Sequence, residues 1–292
     1  NYALELLNSD GRDNIAIGFE ALEKANHADI DANIAIGNYV LDNVDSNGVW
    51  GCVGIGHAVL SDTNSSAAQG STSIGYFGLS HLTSGEGNTT LGFKAGAFVT
   101  TGDNSTFIGF QAGMGITGAK LTGNSNTAIG QKSGLLLQGG ADGNTLVGRK
   151  SADSLTTGTN NVVVGSGALT SAATATNQIV IGQDATGVAN NSVTLGNASV
   201  TAVYMAQDSG ATVHAGILNL TGGQITTTSG NIALNANSGL VTTAAFQSTS
   251  ANLSYFTGPL NLGGDVKFTK ANGLISGSAT STGSFGHGFI AN

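Results

Sequence analysis

The chain has 292 residues, of which only 9% are charged against 40% apolar, with 46 glycines and a single proline, Pro259. The apolar share excludes a solvated disordered chain, and the lack of proline and of a Gly-X-Y period excludes collagen. A net charge of −8 with no basic stripe excludes a nucleic-acid partner.

Residues 1–13, with Tyr2, Leu4, Leu6 and Leu7, are expected to cap the open strand edge of a repeat that starts at residue 14. From 14 to 197 an aliphatic residue is followed by glycine eleven times at near-regular spacing. The pairs are Ile17-Gly18, Ile36-Gly37, Ile55-Gly56, Ile74-Gly75, Leu91-Gly92, Ile108-Gly109, Ile129-Gly130, Val147-Gly148, Val164-Gly165, Ile181-Gly182 and Leu195-Gly196. Successive intervals are 19, 19, 19, 17, 17, 21, 18, 17, 17 and 14 residues. Self-similarity at this period predicts an all-β solenoid of about eleven coils. The shortest interval reads as the bare coil, and the longer ones place insertions along one edge.

Within each unit, the aliphatic before the glycine and the β-branched residue two earlier alternate as one face of a short strand. Both are expected to point inward, which makes Ile17, Ile36, Ile55, Ile74, Leu91, Ile108, Ile129, Val147, Val164, Ile181 and Leu195 the structural core. The glycine marks a bend or a close backbone approach. A small residue three places later suggests a second short strand facing a narrow interior. Asn14, Asn33, Asn88, Asn126, Asn144 and Asn161 stand four before the glycine and are expected to stack as a polar ladder. Two aliphatics per coil make a thin core against the backbone entropy of ordering it, so burial against neighbouring chains, and hence an oligomer, is expected. From 198 to 292 the beat stops, and short alternating segments between Gly-rich turns read as an extended β-connector or shaft.

Phe19, His57, Tyr76, Phe93 and Phe110 each follow the repeat glycine and are expected to form a stripe. Aromatic faces stack on sugars, so the stripe is a receptor platform or, more simply, an interface or filled groove. Trp50, in an early insertion with Tyr39 nearby, is either a receptor contact or packed. The five histidines lack metal spacing and the acids lack a recurring pair. No catalytic residue, metal or cofactor is therefore expected, and no enzyme. The recurring threonines, Thr72 to Thr145, fall at a position taken as inward, which argues against an ice-binding hydroxyl array. Cys52 is the sole cysteine and forms no intrachain disulfide. No apolar run reaches the length of a membrane span and no signal peptide is visible, so membrane insertion is not expected. Beginning at Asn1 rather than Met, the chain is expected to be a processed or excised fragment.

Asn191-Ser-Val-Thr-Leu-Gly196, with its 14-residue spacing, resembles the head repeat of trimeric autotransporter adhesins. Asn126-Thr-Ala-Ile-Gly130 and Leu155-Thr-Thr-Gly-Thr-Asn-Asn161 resemble tail-fibre and structural proteins of phages. So do Val193-Thr-Leu-Gly-Asn197, Gly210-Ala-Thr-Val-His-Ala-Gly216 and the stretch from Ile275 to Gly286. The resemblance implies a left-handed parallel β-roll, three chains side by side, followed by an interwound triple-stranded shaft. It implies a virion fibre segment whose partners are itself, other fibre or baseplate proteins and a host-surface glycan or protein. The alternative it leaves open is a bacterial cell-surface adhesin head that binds matrix or cells.

Overall fold

The computed structural model describes residues 3, 11–24, 30–44, 48–63, 69–205 and 214. Most of the expected cap over 1–13 and most of the expected shaft over 198–292 lie outside the described residues.

The described chain is all-β, with no helix. Its strands are β1 (Ile15–Ile17), β2 (Ile34–Asn38), β3 (Val53–His57), β4 (Thr72–Tyr76), β5 (Thr89–Leu91) and β6 (Thr106–Ile108). They continue as β7 (Thr127–Ile129), β8 (Thr145–Val147), β9 (Val162–Val164), β10 (Gln178–Ile181) and β11 (Ser192–Leu195). Each pairs in parallel with the next, giving one eleven-stranded sheet in sequence order. Parallel neighbours require the chain to return to the same end before each new strand. Here it does so through turns, which makes a parallel β-solenoid.

The register puts every repeat aliphatic beside the next: Ile36 beside Ile55, Ile55 beside Ile74, Leu91 beside Ile108 and Ile181 beside Leu195. The 14-residue and 21-residue intervals give the same alignment, so length differences are absorbed in the connection. In the 21-residue coil, part of the connection is a tight excursion closed by an antiparallel bridge between Ile116 and Ala119.

The repeat glycines are required twice over. Gly109 has φ +131 and Gly130 φ +127, a region closed to other residues. A Cβ at Gly109 would also stand 2.7 Å from the carbonyl carbon of Gly130 in the next coil. Glycine is thus what lets successive coils stack backbone on backbone at this corner.

The structure reverses the expected facing of the strands. None of Ile17, Ile36, Ile55, Ile74, Leu91, Ile108, Ile129, Val147, Val164, Ile181 and Leu195 is buried; Ile17 is 58% exposed and Leu91 48%. The inward column is the residue between the two β-branched or aliphatic positions: Ala35, Gly54, Ser73, Thr90, Phe107, Ala128, Leu146, Val163 and Val180. This column looks variable in sequence because its volumes are matched coil by coil. Phe107 fits because Gly96 and Gly113 face it, where a Cβ on either would collide with the ring. Gly54 in turn leaves room for Val40, Val59 and Leu60.

The opposite wall of the interior is a stack of turns. Residues three after the glycine are buried, among them Ala21, Val40, Val59, Ala95, Ala112, Ser133, Ser151, Ala168 and Ala185. They lie in no second strand. The residues beside them are left-handed, as at Glu20 (φ 53), Leu22 (φ 51), Leu41 (φ 50) and Leu60 (φ 54), and that conformation cannot continue an extended strand. The turns still bond coil to coil: Leu22 N–H donates to Val40 O, Leu41 to Val59 and Leu60 to Gly78, each at 3.1 Å. Leu22, Leu41, Leu60, Leu79, Leu82, Val99, Leu137 and Leu155 complete the core. Each coil therefore buries more than the two side chains that its motif suggests.

Candidate interaction face

The outward face of the sheet carries aligned columns. The residue before each glycine forms one column. The residue two earlier forms a second: Ile15, Ile34, Val53, Thr72, Thr89, Thr106, Thr127, Thr145, Val162, Ile179 and Val193. Val193 is 61% exposed. With neighbouring strands about 4.8 Å apart, these columns make a long and predominantly aliphatic surface. A contiguous exposed apolar face of this kind marks a place where something docks.

The threonines from Thr72 to Thr145 thus face outward, and the inward placement used against an ice-binding array does not hold. Each shares its strand's outer face with an aliphatic, as Thr72 does with Ile74 and Thr127 with Ile129. The surface is mixed rather than a field of hydroxyls.

Where β2–β4 extend past the glycine, Asn38, His57 and Tyr76 continue the pairing, and by strand alternation they fall on the same outer side. The expected stripe is here a column of rings in mutual contact. His57 stacks on Tyr76 at 4.9 Å, Tyr76 on Phe93 at 5.3 Å and Phe93 on Phe110 at 5.2 Å, with interplanar angles of 16°, 5° and 9°. Asn38 interrupts the column, and Tyr39 fills the gap, meeting Phe19 at 5.4 Å and His57 at 5.6 Å edge-on. Lys94 Nζ lies 5.5 Å from the Phe93 centroid. Because the rings cover one another's faces, the inner members present edges to solvent. A sugar needs an open ring face, so the column suits packing better than saccharide capture.

The six repeat asparagines enter the interior rather than the sheet's outer surface. Asn33, Asn88, Asn126, Asn144 and Asn161 are fully buried. Asn144 Nδ2 donates to Asn126 Oδ1 (2.9 Å) and to Gly158 O (2.8 Å), while its Oδ1 accepts from the Asn161 N–H (3.1 Å) and Nδ2 (2.9 Å). Asn14 begins the column by accepting from the Asn33 N–H and Nδ2. Where the column changes residue, a hydroxyl or another amide continues it: Asn126 N–H donates to Ser105 Oγ and Gln178 N–H to Asn161 Oδ1. Cys52 closes one step through its N–H to Asn33 Oδ1 (3.0 Å). Burial pushes its thiol up to about 11, which leaves it protonated and unreactive at neutral pH.

A second column was missed from the sequence, though its signal was there. Asp31, Asp103, Asn124, Asp142 and Asn190 recur six before the glycine. Their side-chain oxygens accept from the backbone N–H of the same position one coil earlier: Arg12 to Asp31 (2.7 Å), Glu86 to Asp103 (3.0 Å), Asp103 to Asn124 (2.8 Å), Asn124 to Asp142 (2.9 Å) and Thr176 to Asn190 (2.9 Å).

Trp50 lies apart from the ring column, on the turn that enters β3, and is half exposed. His81 is also apart, with Nδ1 2.9 Å from Ala97 O and its ring 4.9 Å from Phe98. Asp42 Oδ1 is buried with no hydrogen-bond partner. Loss of hydration pushes that carboxyl up to about 6, against the opposing pull of a backbone hydrogen bond and of Lys24.

No protein-family model, no curated protein and no solved structure matches the chain.

Proposed function

We propose that the chain is a segment of a homotrimeric phage tail fibre: a left-handed β-roll that packs against two copies of itself through its outward sheet face and runs on into a triple-stranded shaft. The observation that carries this is the aligned aliphatic surface itself, with Ile17, Leu91, Ile181 and Leu195 each more than 40% exposed in the single chain. The thin-core argument for an oligomer weakens, because the interior is better filled than the motif suggests. The exposed face replaces it and is the stronger ground. Covering such a face with identical copies aligns the same columns around one axis.

The work of such a segment is mechanical. Coil-to-coil hydrogen bonds and buried amide columns give stiffness and reach, and three identical surfaces add weak contacts to a host by effective concentration. A bacterial trimeric adhesin head is the second reading, favoured by the 14-residue step that ends at Leu195-Gly196. Sedimentation of the full chain tests the assembly. Three times the 28.9 kDa chain mass is expected, and a monomer at micromolar concentration overturns it.

A further inference from the structure

We propose that the turn around Trp50 is a saccharide-binding site that takes a single neutral pyranose ring. At the position five before the repeat glycine the backbone is left-handed in every coil, and most coils place a side chain there: Asp13, Ala32, Asn104, Ser125, Asn160, Asn177 and Asn191, all with φ between 51 and 57. In four coils the residue is instead glycine, three of them consecutive: Gly51, Gly70 and Gly87, with Gly143 the fourth. Of these, Gly70 and Gly87 line a shallow open cavity of about 270 Å³, together with Trp50, Gln69, Glu86 and Asn104. A Cβ placed on Gly70 would meet nothing within 4 Å, so the floor is clear space.

The lining has the chemistry of a sugar subsite. One wall is the Trp50 indole, 50% exposed. Among the described residues no other aromatic ring stacks on it, in contrast to the covered faces of the ring column. A flat, open indole face takes the C–H face of a pyranose. Across the floor, the Glu86 carboxylate is an acceptor for adjacent hydroxyls, and the Asn104 amide carries both donors and an acceptor. The frame is fixed from behind: Gly70 N–H donates to Trp50 O (3.1 Å), Gly87 to Gln69 O (2.9 Å) and Asn104 to Glu86 O (2.8 Å). Glu86, with Asp103 beside it in the next coil, makes the rim negative. Uronic and sialic acids are therefore disfavoured and neutral sugars admitted. The site sits on the turns that enter the strands, not on the sheet face, so it goes beyond the trimer proposal and does not depend on it.

Trp50 is the chain's only tryptophan, so fluorescence excited at the long-wavelength edge, where tyrosine does not absorb, reports this site alone. Full-length protein is titrated with methyl β-D-galactopyranoside, methyl β-D-glucopyranoside and, as the charged control, methyl β-D-glucuronide. A saturable change with one of the neutral glycosides is expected, with a dissociation constant in the millimolar range, and at least fivefold weaker binding of the glucuronide. Gly70→Asn restores the side chain that other coils carry in the same left-handed backbone, and its Cβ meets nothing within 4 Å, so it should lower the thermal midpoint only slightly and abolish binding. Glu86→Gln should weaken binding at least fivefold. The proposal is overturned if no neutral glycoside changes the fluorescence, if Gly70→Asn binds like the parent at a nearly unchanged midpoint, or if the glucuronide binds as well as the neutral sugars. Sedimentation is measured on the same samples, so loss of sugar binding in an intact trimer is told apart from failure of the assembly.

Discussion

Replacing Asn144 with alanine should be among the most damaging single changes in the solenoid that leave its volume nearly intact. Asn144 joins three coils: its amide nitrogen holds Asn126 Oδ1 and Gly158 O, and its oxygen holds the Asn161 N–H and Nδ2. After truncation, Asn161 Nδ2 keeps Ala175 O (2.7 Å), and Asn126 Oδ1 keeps the Asn144 N–H (3.2 Å). Two fully buried backbone groups lose these bonds, the Gly158 carbonyl and the Asn161 N–H. At about 1–3 kcal/mol for each buried group left unsatisfied, the loss is roughly 2–6 kcal/mol. Asn124→Ala is the matched control. Asn124 is exposed and its side chain accepts one bond, from the Asp103 N–H, so water can replace it at a cost of about 1 kcal/mol or less. Urea denaturation followed by circular dichroism compares the two. Equal midpoints for the two variants, or an Asn144→Ala loss under about 0.5 kcal/mol, would refute the view that the amide column is an energetic element of the coil.

Gly130→Ala should cost about 3 kcal/mol or more, since it combines a forbidden backbone region with a collision against the Gly148 carbonyl; Gly118→Ala, in open space, should be neutral, and thermal melts of both variants check this. Asp42 gives a pH dependence of defined sign. Its folded value of about 6 lies above the ordinary 3.8, so the native state binds the extra proton and stability falls as pH rises between about 4 and 6. Because the carboxyl is only half-buried, the effect is discounted to about 1 kcal/mol. Asp42→Asn should remove that slope and raise stability at pH 7, and an unchanged slope in denaturation midpoints from pH 4 to pH 7 would contradict the assignment.

The repeat, its parallel stacking and its bend glycines were legible in the chain because each leaves a one-residue signature at a fixed place. The asparagine column and the ring column followed from the same spacing, since parallel coils in register must bring equal positions together. The direction in which the strands face was not legible. Alternation fixes two faces but not which is inside, and β-branched residues such as Ile34, Val53 and Val162 suit either a core or a dry interface. The deciding feature is the opposite wall, built from left-handed turns at residues such as Glu20, Lys94 and Lys132, whose types carry no turn signature. Phe107 could have given the answer. A phenylalanine between two β-branched or aliphatic positions, flanked by Gly96 and Gly113, is a buried ring with space cleared for it. The Trp50 cavity was hidden for a different reason: its floor is defined by side chains missing at Gly70 and Gly87, which shows only when the coils are stacked.

The central claim, that the outward aliphatic face is covered by copies of the chain, is tested most directly by a spin label at residue 129. Ile129 lies outward in the middle of the sheet. Cys52→Ser removes the only native thiol and copies the serine that the column already uses at Ser71 and Ser105. In this background, Ile129→Cys carries one label per chain. Three labels brought together around one axis should give strong dipolar broadening, which vanishes on dilution with unlabelled chains before assembly. Sharp, isolated label spectra with rapid access to a soluble relaxing agent would show the face open to water, and would contradict the assembly on which the proposed fibre rests.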